Sequence, residues 1–349
     1  MIAGAIKRGV RSIVAQLCHA SRGGVHASRG KVAILAYHRV VTPDDLQRQY
    51  IEPGMYVMQD VFEMQVRWLM EHCNVISFSD LLQQWKARAW DQEKPYCVLT
   101  FDDGWLDNYL YAFPILKKYQ APASIFLPTN YVGSNEWFWP EKIAFLLTYL
   151  RQPRVTATQR SSASEVVAEL PGMVKINFVG QEVFNYSKIR EIIGRCKLLK
   201  PRQIGGVLHR LSDILGVSVP HERMTINWEE VNEMAEKGIS FGSHSCAHHL
   251  LTRLDEQTIR QELQESNQVL RALPVGYLPV FCYPNGDNTD AIQDLVKESG
   301  YVAAVGTRNG MEGQCPKNLY ELNRIGMHND VSKTAELFSL HLARAAWGL

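Results

Sequence analysis

The stretch Cys97-Val98-Leu99-Thr100-Phe101-Asp102-Asp103-Gly104 decides how this chain reads. Its apolar start has the composition of a buried strand, and Gly104 marks where that strand stops. Two adjacent carboxylates therefore stand at a strand's end. Far downstream, Ile239-Ser240-Phe241 leads into Gly242-Ser243-His244-Ser245-Cys246-Ala247-His248. Two imidazoles and a carboxylate with open positions are what a catalytic divalent metal requires. The other aspartate is then free to handle protons. Successive side chains on a strand point to opposite faces, so both aspartates can serve one pocket only if the backbone turns there. His244 and His248 share one side of a helical turn if the segment is helical, and a loop can also bring them together.

Short apolar runs alternate with amphipathic ones on both sides of this stretch. Val32–Tyr37 reads as a strand ending at His38, Asp60–Leu69 as a helix, Asn74–Phe78 as a short strand, Tyr109–Tyr119 as a helix and Ala123–Leu127 as a strand. The alternation resumes near residue 226. Trp228–Lys237 reads as a helix capped by Asn227, with Glu230 three residues on and Gly238 closing it. Asp255–Leu273 and Asp290–Ser299 are helical in pattern. Val280–Tyr283, Tyr301–Val305 and Tyr320–Met327 read as strands, the first stopped by Pro284-Asn285-Gly286. Such repetition predicts an α/β fold with a parallel sheet covered by helices. His38, Asp102, Asp103, His244 and the Pro284 turn all fall at C-terminal strand ends, where parallel sheets and barrels place active sites.

Residues 134–225 break the alternation, beginning with Trp137-Phe138-Trp139-Pro140. They read as a mainly helical insertion on the catalytic rim, which either shapes substrate binding or only caps the barrel. The expected organisation is an N-terminal segment 1–31, a catalytic unit 32–330 interrupted by 134–225, and a C-terminal helix in 331–349.

With 349 residues, a formal net charge of +1 and 21% charged residues, the chain is ordinary globular material with no electrostatic case for nucleic acid. The 7 cysteines, Cys18, Cys73, Cys97, Cys196, Cys246, Cys282 and Cys315, are scattered and form no CxxC pair. Several lie in apolar runs as small hydrophobes, which points to a reducing compartment. No apolar run approaches the ~20 residues of a membrane span. Met1–Leu17 carries Lys7, Arg8 and Arg11 inside its apolar part, unlike a secretory signal. It reads as a basic amphipathic helix that either packs on the protein or touches a membrane surface, so a cytoplasmic protein, peripheral at the inner face, is expected. Oligomeric state leaves no mark in the sequence.

Thr100-Phe101-Asp102-Asp103-Gly104 and His244-Ser245-Cys246-Ala247-His248 resemble the first two motifs of the polysaccharide deacetylases, carbohydrate esterase family 4 with its NodB-homology domain. Phe281-Cys282-Tyr283-Pro284-Asn285-Gly286 resembles the third, and the resemblance spans residues 32–330 outside the insertion. It implies a distorted (β/α) barrel and metal-dependent removal of N- or O-acetyl groups from a glycan. It implies Asp102 as general base, Asp103, His244 and His248 as ligands of a divalent metal such as zinc, and the Asn285 backbone N–H as an oxyanion donor. Two departures stand out. Cys282 occupies the place of an arginine that steadies the base in many members, and Arg324 in Leu322-Asn323-Arg324-Ile325 is the nearest substitute. The C-terminal Leu-x-His segment that often supplies the general acid is missing. Tyr37-His38-Arg39-Val40 instead resembles the branch of poly-N-acetylglucosamine deacetylases with an early Tyr-His, which implies His38 as the acid, with His328 second.

Trp105, Trp137 and Trp139 offer either sugar-stacking faces or packing, with packing expected for the last two and Trp105 open. His249 receives no role. Two other readings remain, since fold alone does not fix function. One is a non-catalytic glycan-binding module on the same barrel. The other is a hydrolase of a different amide, a lipid-linked sugar formamide or acetamide or a ureide, which a membrane-touching N-terminus would suit.

Overall fold

The computed structural model describes residues 15–16, 27–88, 90–91, 95–174, 176, 178 and 186–349. Apart from Ala15 and Gln16, the basic N-terminal stretch lies outside the described residues. Ala15 packs against Leu340 and Ala343 near the C-terminus. No helix among the described residues is long and apolar enough to cross a membrane.

The strands are β1 (Lys31–Tyr37), β2 (Arg39–Val41), β3 (Tyr56–Met58), β4 (Asn74–Val75), β5 (Tyr96–Asp102), β6 (Ala123–Leu127), β7 (Ile239–Ser243), β8 (Tyr277–Cys282), β9 (Ala303–Val305), β10 (Glu312–Gly313) and β11 (Ile325–Gly326). The helices are α1 (Pro43–Arg48), α2 (Gln59–His72), α3 (Phe78–Ala87), α4 (Phe113–Tyr119), α5 (Trp139–Tyr149), α6 (Ala157–Ala168), α7 (Tyr186–Cys196), α8 (Pro201–Leu215), α9 (Trp228–Ala235), α10 (Glu256–Arg271), α11 (Asp290–Glu298), α12 (Asn329–Ser332) and α13 (Ala335–Trp347).

Among the described residues the main sheet has nine strands and runs β10-β1-β5-β6-β7-β8-β9, with β11 also on β1 and β4 also on β5. The central pairs are parallel, as in Ile34 opposite Val98 and Phe101 opposite Ile125. Residues 319–326 complete the curl into a distorted (β/α) barrel. Leu322 bridges Val305 of β9, and Ile325 pairs with Leu35 of β1. Every residue of β5 is buried, as expected of a parallel strand covered on both faces. Val98, Val280 and Phe126 pack inside the curl, while Leu99, Phe101 and Phe62 pack beneath the helices.

Several boundaries differ from the sequence pattern. The Asn74–Phe78 strand shrinks to Asn74–Val75, because Ser77 caps α3 through a reciprocal bond with Asp80. The predicted Tyr109–Tyr119 helix opens with a π-helical turn over Asn108–Ala112. The Tyr320–Met327 strand is reduced to Ile325–Gly326, since its other contacts to β9 are a single bridge and isolated hydrogen bonds. Asn227 caps α9 with Glu230 answering, and Gly238 follows at φ 91°.

Between β6 and β7 the chain leaves the barrel rim and builds α5–α8 around their own core, including Leu146, Leu147, Ile192 and Leu211. Burying each such leucine or isoleucine is worth roughly 1.5–3 kcal/mol. The segment is therefore a folded body, seated over the C-terminal ends of the strands.

Candidate active site

The catalytic face is set by how β5 ends. Asp102 closes the strand in extended geometry, and Asp103 turns to φ 73°. That left-handed turn brings both neighbouring carboxylates to one side. Gly104 continues it at φ 62°, where a Cβ would meet Leu127 Cδ2 at 2.5 Å, so any side chain there would be strained and would displace Leu127. Asp102 and Asp103 are 2% and 4% exposed.

His244 and His248 come from a loop, not from a helical turn. Ser245 and His248 adopt φ 63° and 54°, uncommon for residues with side chains. Hydrogen bonds fix these conformations. Ser243 Oγ accepts from Ser245 N, and Ser245 Oγ accepts from His248 N. Glu262 on α10 accepts from the backbone N–H groups of Cys246 and Ala247 at 2.8 and 2.9 Å. Its buried carboxylate thus clamps the loop between the two histidines. Cys246 donates its thiol to the Glu262 carbonyl and turns into the packing.

Asp103, His244 and His248 bring their ligand atoms within 4.8 Å of one another. Asp103 Oδ1 lies 3.4 Å from His244 Nε2 and 3.1 Å from His248 Nε2. This oxygen is buried and accepts no well-formed hydrogen bond. The other oxygen accepts from Trp105 Nε1 at 2.9 Å. His244 Nδ1 donates to the Cys282 carbonyl at 2.7 Å, which fixes the ring with Nε2 facing Asp103. Burial favours neutral His248 and lowers its pKa. Burial acts to raise the Asp103 carboxyl, but the adjacent His244 and His248 rings outweigh it and hold the group well below the usual range. An orphaned carboxylate oxygen beside two imidazole nitrogens fits a divalent cation.

A second grouping, Asp102, His244 and Cys282, is also close enough to be considered. Arg324 occupies its centre of charge. The guanidinium bonds both Asp102 oxygens at 2.7 Å and reaches Cys282 Sγ at 3.2 Å. A fixed cation there leaves no room for a metal ion. Burial acts to raise the Asp102 carboxyl, but Arg324 reverses this and holds it below its ordinary value. Arg324 also donates to the Gly306 carbonyl and to Thr100 Oγ1, so its own position is locked.

The remaining predicted residues are distributed unevenly. His38, at the end of β1, lies with Nε2 3.8 Å from Asp102 Oδ2 and lines the same cavity. His328 is at the start of α12 and is not among the lining residues. Asn285 lines the cavity at φ 60°, and its side chain accepts from Lys197 at 2.6 Å. Gly286 follows at φ 75°, where a Cβ would strike Thr307.

Trp105 is buried and holds Asp103, with Arg39 4.6 Å above its ring and Arg39 paired to Asp107 at 2.7 Å. Its place is therefore structural support of a candidate ligand. Trp137 packs with Phe138 and Trp139 against the insertion's core, both as expected, and Trp139 also lines the cavity. His249 lies 3.8 Å from Glu262.

The cavity encloses about 320 Å³. Sequence reasoning missed part of its lining. Glu141 enters from the first turn of α5, and burial together with the charge of Asp103 pushes its carboxyl up to about 8. At neutral pH it is mostly a neutral acid and a hydrogen-bond donor. Its only sequence signal was its place beside Trp139-Pro140. Glu262 carried none beyond its place on a charged helix.

The polysaccharide deacetylase family model matches residues 90–168 and 198–304. The Bacillus subtilis protein YxkH is 21% identical over 309 residues, 87% of this chain and 74% of that protein. A poly-β-1,6-N-acetyl-D-glucosamine N-deacetylase of Staphylococcus epidermidis is 30% identical over 114 residues, 30% of this chain and 38% of that protein. Among solved structures, the Streptococcus pyogenes deacetylase PplD in complex with acetate superposes with TM-score 0.53 at 19% identity, covering 87% of this chain and 96% of the other. IcaB from Ammonifex degensii gives 0.52 at 16% identity, covering 91% and 97%. These structural likenesses concern the fold.

Proposed function

This chain belongs to the polysaccharide deacetylase family, hydrolases of carbon–nitrogen bonds, and from that premise we propose that it removes acetyl groups from an N-acetylated glycan in a metal-dependent reaction. The observation that carries the reading is the division of labour between adjacent aspartates. Asp103 presents a buried, unpartnered oxygen beside two imidazole nitrogens, while Asp102 is held ionised by Arg324. A glycan-binding module has no use for that second, buried carboxylate.

Asp103, His244 and His248 would hold the ion, and two histidines with one carboxylate leave positions open. Zinc suits the donor set. When bound, the metal supplies Lewis acidity to the acetyl carbonyl and to a water molecule. The rest belongs to the chain. Asp102 accepts the proton of the attacking water, because Arg324 keeps the carboxylate ionised and aligned. The Asn285 backbone N–H stabilises the oxyanion at the cavity wall. His38, on the same side of Asp102, gives a proton to the departing amine. Trp105 and the Cys282 carbonyl keep two candidate ligands oriented throughout.

Metal analysis combined with acetate release from N-acetylglucosamine oligomers tests this. Purified protein should contain about one divalent ion and release acetate. His244→Ala should lose the ion, and Asp102→Asn should retain it without turnover. Full turnover by Asp102→Asn would remove the assigned base.

A further inference from the structure

The insertion closes what would otherwise be an open rim. Arg190 and Ile193 on α7 and Lys197 just past its end recur at helical spacing. Ile193 lines the cavity directly. Arg190 reaches one bank and pairs with Glu52 at 2.8 Å. Lys197 reaches the other and donates to Asn285 Oδ1 at 2.6 Å. The stretch between them is about 10 Å of helix, spanning the mouth.

Surface ion pairs of this kind are weak by themselves. Packing seats the roof. Tyr50, beside Glu52, packs against the insertion core, and a small void of about 20 Å³ lies between that bank and Pro140, Ala144 and Ile193 of the insertion. Trp137 and Phe138 pack on Trp105, which anchors the insertion's root to the catalytic floor. The enclosed space, about 320 Å³, is at the small end of ligand cavities, roughly 300–1,000 Å³.

We infer that the insertion restricts this site to chain ends and short saccharides of an N-acetylated glycan, excluding internal residues of a long polymer. The inference rests on the deacetylase reading, and it specifies that reading's substrate class. A sugar at a chain end enters under α7 with its acetamide on the catalytic floor. An internal sugar needs an exit for chain on both sides, and a cavity of about 320 Å³ under a roof tied to both banks has room for little beyond one sugar and its acetamide.

The test uses zinc-loaded protein and β-1,4- and β-1,6-linked N-acetylglucosamine oligomers from dimer to hexamer, with products sequenced by tandem mass spectrometry. Acetate loss confined to one terminal residue is expected, with kcat/KM differing less than about threefold between dimer and hexamer. Deacetylation of internal residues, or a tenfold rise in kcat/KM with length, would overturn the inference. Ile193→Trp should raise KM for the dimer at least tenfold without changing zinc affinity, and an unchanged KM counts against the roof. Saturation-transfer NMR with the Asp102→Asn protein separates this from the activity reading. Contact concentrated on a terminal sugar supports the roof, and even contact along the hexamer refutes it. Absence of acetate release from every oligomer would refute the deacetylase reading and leave the NMR result to decide the roof.

Discussion

Replacing Arg324 by methionine should destabilise the protein mainly through Asp102. The methionine keeps much of the aliphatic stem and removes the guanidinium. Asp102, 2% exposed, then loses two charge-assisted bonds of 2.7 Å. Breaking a buried pair this way costs about 3–5 kcal/mol, since one charge stays behind without compensation. At about 1.4 °C per kcal/mol for a chain of this length, the melting temperature should fall by roughly 4–7 °C. The pH dependence should also reverse. In the wild type the Asp102 carboxyl is held below its unfolded value, so its stabilisation is present above that value and is lost as pH falls through the folded one. In Arg324→Met burial is opposed only by the weaker pull of His38 and His244, so the carboxyl rises and acidification should relieve the destabilisation. Turnover at neutral pH should drop with it, and the acid limb of the rate profile should move upward. Thermal melts of the wild type, Arg324→Met, Asp102→Asn and the double variant, followed from pH 4 to 8, complete the cycle. The double variant should recover at least about 2 kcal/mol relative to the sum of the singles. A coupling near zero, or melting temperatures of Arg324→Met that fall with acid as the wild type's do, would show that Arg324 does not act on Asp102.

Glu262→Ala removes the acceptor for two consecutive N–H groups in the histidine loop, and zinc affinity should fall about 10–100-fold by chelator competition. Glu262→Gln keeps an oxygen there and should recover part of the loss; equal affinities for all three proteins would exclude the clamp. Trp105→Phe keeps the packing but removes the donor to Asp103, costing about 1.5–3 kcal/mol in stability of the metal-free protein by urea denaturation. His38→Gln should reduce kcat by about 10²–10⁴ with zinc content unchanged. Wild-type kcat in that variant would pass the acid's role to another group.

The sequence made the strand ends legible because short parallel strands carry continuous apolar runs, and the chemistry sits just beyond them. His38, Asp102, Asp103, His244 and the Pro284 turn were all found that way, and Asn285 through the resemblance of its motif. Side chains supporting the site from a distance were not. Glu262 lies in a charged amphipathic helix and Lys197 at the end of another, where a clamp or a tether has the same composition as a solvated face. The left-handed conformations of Asp103, Ser245 and His248 had no glycine to announce them. Loop hydrogen bonds produce them, and those depend on elements far apart in sequence.

Arg324 shows where the two kinds of information meet. Motif comparison exposed a missing arginine at Cys282 but could not say whether another would reach Asp102. That depends on closure of the barrel. Residues 319–326 run between β9 and β1, with Leu322 on Val305 and Ile325 on Leu35. Position 324 therefore borders β1, the strand that pairs directly with β5. From there the guanidinium crosses to Asp102 and touches the Cys282 thiol, the residue that replaced its counterpart. Cysteine suits that place because an arginine at both positions would put two cations on one carboxylate. Positions 282 and 324 are therefore electrostatically linked in this chain, and Cys282→Arg in the wild-type background should destabilise the protein by crowding and like-charge repulsion. Combined with Arg324→Met it should be tolerated better than in the wild type, as a melting-temperature comparison of the two backgrounds would show.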